Sequence, residues 1–204
     1  MALATASALV IAIAQVAHSE PAATSKTAAV DHDGPFGIAM GETLEDLGPV
    51  QKTGNGVYHV LRPARPNEVL NFVSVVAFPT LGVCKILAVG DINQEDQRGS
   101  AVKSTVDRLS EALSTKYGTP QQEQDCQASD TECSDYWTIQ LHEGQAHYRY
   151  LWDLRSAQRA DKIAMIQDEA MALNSVRTIP RVTYFAANDD ACVAAMQAAS
   201  GASL

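Results

Sequence analysis

The chain lacks a long apolar run, is short of positive charge and carries none of the compact catalytic signatures. Each absence excludes something. Its longest apolar stretch, Ala2 to Ala14, is broken only by Thr5 and Ser7 and falls short of the roughly 20 residues a membrane helix needs. Lys and Arg total 15 against 24 Asp and Glu, a net charge of −9. That balance argues against nonspecific nucleic-acid binding, which depends on neutralising phosphates. There is no Gly-x-Ser-x-Gly and no Ser-x-x-Lys set for a hydrolase nucleophile. Gly54-Asn55-Gly56 lacks the third glycine and following helix of a dinucleotide site, so it reads as a turn. His142 and His147 fall across a predicted hairpin turn instead of sharing one helical face, and read as surface residues. Asp91 to Asp96 alternates oxygen ligands but lacks the central glycine and terminal glutamate of a calcium loop. No cofactor or metal ligand set is implied.

What is present begins with the N-terminus. The apolar run followed by Ala17-His18-Ser19 fits a secretory signal with a small-x-small cleavage site, although no Lys or Arg precedes it. A buried N-terminal helix is the alternative. Residues 1–19 are expected to be a signal peptide and 20–34, rich in Ala, Thr, Ser and Pro, a flexible leader. Residues 35–200 are expected to form one α+β domain, with two related halves (35–120 and 121–200) as a variant. No Cys follows the apolar run, so a lipid anchor on an N-terminal cysteine is not expected, and with the apolar run too short to span a bilayer the mature chain is expected to have no membrane span. The expected location is the periplasm or the outside of a bacterial cell.

Phe36 to Met40 reads as a strand leading through Gly41 into a helical turn with Leu44 and Leu47 on one side. Val57 to Leu61 follows a turn and reads as a strand. Val69 to Phe78 and Val83 to Gly90, joined by Pro79-Thr80-Leu81-Gly82, read as an antiparallel hairpin. The clearest helix is Ala101 to Tyr117. There Val102, Val106, Leu109 and Leu113 form one stripe, Ser100 is placed as the cap, and Gly118 and Pro120 end it. Gln121 to Ser134 reads as a polar loop, and Tyr136 to Leu141 as a strand turning at Gly144 into Ala146 to Trp152. Ile163 to Leu173 is ambiguous: propensity favours helix, whereas the resemblance below favours a strand. Arg181 to Phe185 reads as a strand and Asp189 to Ala199 as a short terminal helix. The fold class expected is antiparallel sheet packed by one long helix and a short C-terminal one.

The four cysteines, Cys84, Cys126, Cys133 and Cys192, are the candidate site residues, and in an exported chain they point to disulfides. Four cysteines allow three pairings. Cys126 and Cys133 lie nearest in sequence, and pairing them leaves Cys84 with Cys192. Cys126-x6-Cys133 is not a zinc spacing. Trp137, Tyr148, Tyr150 and Trp152 cluster in the predicted second hairpin, where cross-strand packing explains them better than a ligand surface.

Phe36-Gly37-Ile38-Ala39-Met40-Gly41-Glu42-Thr43-Leu44, Gly82-Val83-Cys84-Lys85-Ile86, Lys116-Tyr117-Gly118-Thr119-Pro120 and Val182-Thr183-Tyr184-Phe185 with Asn188 and Cys192 resemble a loose group of exported bacterial proteins of unknown function. At the fold level the opening looks like that of the outer-membrane assembly lipoprotein and β-lactamase inhibitory protein superfamily. The resemblance implies a non-catalytic binding or inhibitor-like module, with an extracytoplasmic protein or a small ligand as partner. Two alternatives stand beside it: a hydrolase with a dispersed active site, and a metal- or small-ligand-binding envelope protein.

Overall fold

The structure, a computed structural model, describes residues 32–157 and 159–201. The expected signal peptide and most of the expected leader lie outside the described residues. The described chain forms eight antiparallel strands in one sheet: β1 (Val50–Gly54), β2 (Val57–Val60), β3 (Phe72–Phe78), β4 (Gly82–Val89), β5 (Gln121–Cys126), β6 (Ala146–Asp153), β7 (Ile163–Ala172) and β8 (Thr178–Ala186). Their spatial order is β1-β2-β3-β4-β8-β7-β6-β5. Each half is a run of four strands in sequence, and the last strand of each, β4 and β8, meet at the centre. Four helices accompany the sheet: α1 (Ser100–Tyr117), α2 (Asp130–Asp135), α3 (Trp137–His142) and α4 (Asp189–Gly201).

The helix α1 packs on β6, β7 and β8 through its Val and Leu stripe, with Val102 and Val106 fully buried. Its cap differs from the expected Ser100. Gly99, at φ 69, occupies the cap position, and the carboxylate of Asp96 accepts from the backbone N–H groups of Ala101 and Val102, each at 3.0 Å. Those are donors that a helix start leaves unpaired. Thr178 donates its hydroxyl to the same carboxylate at 2.7 Å, tying the helix start to β8.

Three further expectations are corrected. Phe36 to Met40 is not a strand. Pro35–Gly37 is a short 3-10 turn in which Phe36 takes φ 58, so the extended run is broken at its start. The segment instead fills the core with Phe36, Ile38, Met40 and Leu47, and Phe36 packs edge-on against Tyr184. The expected loop 121–134 holds the edge strand β5, paired throughout with β6, and α2, which starts with a Ser129–Glu132 capping box. Finally, Tyr136 to Leu141 is the helix α3 and not a strand. It buries Trp137, Thr138 and Gln140, a helical spacing that six residues are too few to reveal as a period.

The ambiguous stretch is settled as strand β7. Ile166, Asp168 and Ala170 are buried while Met165, Gln167 and Glu169 are not, an alternation only a strand produces.

Cys84 is bonded to Cys192 and Cys126 to Cys133. A bulge opposite Val76 and Ala77 gives β4 an extra residue, and with it both Cys84 and Lys85 reach α4. Lys85 meets Asp189 at 3.2 Å while Cys84 meets Cys192. Asp189 and Cys192 are three apart, on one side of the helix. Lys85 is on the row opposite to Ile86 and Tyr184, so α4 joins β3 and β4 from the side away from α1.

Candidate functional site

Three places in this frame gather chemistry. The first is the face of β5–β8 turned away from α1. One cross-strand row runs Glu123, Arg149, Glu169, Arg181 through four adjacent strands, alternating in sign. Arg149 donates to Glu123 at 2.6 Å, and Arg181 donates through Nε to Glu169 at 2.7 Å. The neighbouring row is Gln121, Leu151, Gln167 and Thr183. Most of these side chains are half-buried by their neighbours and keep an exposed side. Opposite charges directly across a strand pair stabilise it modestly and hold long side chains in fixed positions, giving a pre-ordered polar surface. Every member lies on a strand, since strand alternation places them all on one face.

The second is a buried polar group beneath α1. Asp107 accepts hydrogen bonds from Tyr148 at 2.5 Å and Tyr150 at 2.9 Å. Tyr150 is the register partner of Asp168. Asp168 is wholly buried, and both of its carboxylate oxygens lack a hydrogen-bond partner. Burial pushes its pKa up to about 8, with Glu169 and Asp107 adding to the rise, so it is held as the neutral acid at neutral pH. Burial and the hydrogen bond to Asp107 likewise raise the pKa of Tyr148. Lys103 stands over the Trp137 ring at 3.8 Å. Its pKa is lowered by burial, against the pull of Asp96 and Asp107.

The third is a pocket of about 820 Å³ at one end of the sheet. The N-terminal segment, the Leu81 turn, the loop 154–162 and the link from β8 to α4 form its walls. Among the described residues Arg155, Arg159 and Lys162 line it, and no His, Asp or Glu does.

The cysteines identified in sequence are all in disulfides and are not gathered at any of these three places. The histidines among the described residues are dispersed. His32 pairs with Glu42 at 3.5 Å, His59 stacks on Phe72, His142 ends α3 and His147 lies opposite Asp125. Among the described residues no group of three or more His, Cys, Asp or Glu is placed to hold a metal ion. The Asp91–Asp96 segment instead contributes the helix cap. No helix among the described residues is long and apolar enough to cross a membrane. Sequence reasoning missed Asp168 and Asp107. The usable signal for Asp168 was its place between Ile166 and Ala170 in an alternating strand, and it was hidden while 163–173 could be read as helix.

Compared with known protein families, curated proteins and solved structures, the chain matches none of them.

Proposed function

We propose that the chain is an exported, non-catalytic binding module of the periplasm or cell exterior, which presents the face of β5–β8 away from α1 to a protein partner. The carrying observation is the alternating Glu123–Arg149–Glu169–Arg181 row, held on four rigid strands and left with one side open. Charges fixed in this way favour specificity and orientation over bulk affinity. The two disulfides support an oxidising compartment. The resemblance to exported proteins and to the β-lactamase inhibitory protein superfamily supports a binding role, as an argument by analogy. Among the described residues the lining of the end pocket gathers no acid, base and nucleophile of the kind the hydrolase alternative needs.

The test is quantitative binding of envelope proteins to the immobilised chain, compared with an Arg149→Glu/Arg181→Glu variant of equal thermal stability. A partner retained by the native chain and released by the variant supports the proposal. Equal retention by both, or turnover of any substrate class by the purified chain, removes it.

A further inference from the structure

The end pocket lies away from the proposed partner face and has a different character. Its floor is apolar and mostly core: Met40, Leu154, Ile163 and Ala186 are each buried, and Leu81 adds to them. Its volume of about 820 Å³ falls within the range of small-molecule sites, which are largely apolar with a few placed polar groups. Three cations line it, and two are already neutralised. Arg155 forks onto Asp153 at 2.9 and 2.5 Å, and Arg159 onto Asp161 at 3.1 and 3.0 Å.

Lys162 is different. No ion pair or hydrogen bond engages its ammonium group among the described residues. Its backbone sits at φ 55, a left-handed conformation that residues with a Cβ resist. That conformation directs the chain between the Arg159–Asp161 fork and the start of β7. The Nζ atom stands 4.0 Å from the place a Cβ would occupy on Gly41, so it lies against bare backbone on the opposite wall. A strained residue is retained where the surroundings over-determine it, and such residues cluster at ligand clamps.

We propose that this pocket binds a small amphiphile with one anionic head and an apolar body, the head paired with Lys162 and the body laid on Met40, Leu154, Ile163 and Ala186. An apolar floor beside a single uncompensated cation suits that combination. A neutral apolar molecule would leave the ammonium without a partner, and a cation would meet the like charge of Lys162, the Arg155 and Arg159 charges being taken up by Asp153 and Asp161.

The experiment is calorimetric titration of the full chain with decanoate, with decanol and decylammonium as controls and decyl phosphate to separate a carboxylate head from a phosphate one. Lys162→Gly removes the ammonium and places glycine where φ is positive, so its melting temperature is expected to equal or exceed that of the parent. The expected result is saturable one-to-one binding of decanoate or decyl phosphate, weakened roughly tenfold or more by Lys162→Gly and retained by Lys162→Arg. Lys162→Gln serves as a second neutral variant and should lose affinity in the same way. Decanol binding as tightly as the anions, unchanged affinity in Lys162→Gly, or no saturable binding overturns the proposal. None of these results bears on partner capture by the sheet face.

Discussion

Replacing Asp168 by Asn should stabilise the protein at neutral pH and leave it nearly unchanged in acid. The Asp168 carboxyl group is wholly buried, has no hydrogen-bond partner on either oxygen, and has its pKa raised from 3.8 to about 8. In the unfolded chain the same group ionises near 4. The folded state therefore binds the extra proton, and stability falls as pH rises between those two values. Below about pH 3 the group is neutral in both states and costs nothing through ionisation. Every tenfold difference in proton affinity between the two states corresponds to about 1.4 kcal/mol, so the full span is on the order of 5 kcal/mol, an upper figure once relaxation and water entry are allowed for. Asn keeps the shape and an unsatisfied polar group but cannot ionise. Its advantage should therefore be near zero at about pH 3, about 1 kcal/mol at about pH 4.5, and grow to about 2–5 kcal/mol by about pH 7.5. Asp107, Glu169, Tyr148 and Tyr150 face or flank the group and are present in both proteins. The variant-minus-parent difference cancels their own titrations to first order. Urea unfolding at several pH values, with disulfides intact, reads it directly. A difference that does not vary with pH, or a parent more stable than the variant at neutral pH, would refute the reasoning.

Three other perturbations have defined outcomes. Removing the Cys84–Cys192 bond, which spans 108 residues, should cost up to about 5 kcal/mol, whereas removing Cys126–Cys133, separated by 7, should cost about 2.5 kcal/mol. Denaturant midpoints of the two Cys→Ala pairs should rank in that order. Asp96→Ala strips acceptors from two helix N–H groups and from Thr178, and should lower stability by about 2–4 kcal/mol in the same assay. Gly99→Ala combines φ 69 with a Cβ placed 2.0 Å from the Trp137 ring. It should destabilise by at least about 2 kcal/mol, with a change in Trp137 fluorescence as α3 is displaced.

The α+β class, the hairpin β3–β4 and the stripe of α1 were legible because each rests on a strong local pattern. Val102, Val106, Leu109 and Leu113 repeat as a helix must, and the Val-rich run before Pro79 has no helical competitor. Where the sequence misled, tertiary contacts outweighed local preference. Gln121–Cys126 is polar enough to read as loop, yet an edge strand tolerates and benefits from such residues. Trp137–His142 carries strand-like residues but is fixed as helix by burial of Trp137 and by the hydrogen bonds of Thr138 to Gln97 and Asp96. The candidate sites were less visible still. The Glu123–Arg149–Glu169–Arg181 row draws on four strands, one of them read as loop and another left ambiguous, so its members could not be aligned before the register was known. Lys162 stands out only through its backbone angle and the absence of a charge partner among the described residues, and neither leaves a mark in the sequence.

The proposal of an exported, disulfide-held module is tested most directly on the native protein from cells. Its intact mass would be measured in the envelope and cytosolic fractions after thiol alkylation, with and without prior reduction. The account predicts recovery from the envelope fraction, a mass lacking residues 1–19, and no alkylated thiol until reduction exposes all four. A full-length chain in the cytosolic fraction with four alkylated thiols would contradict it.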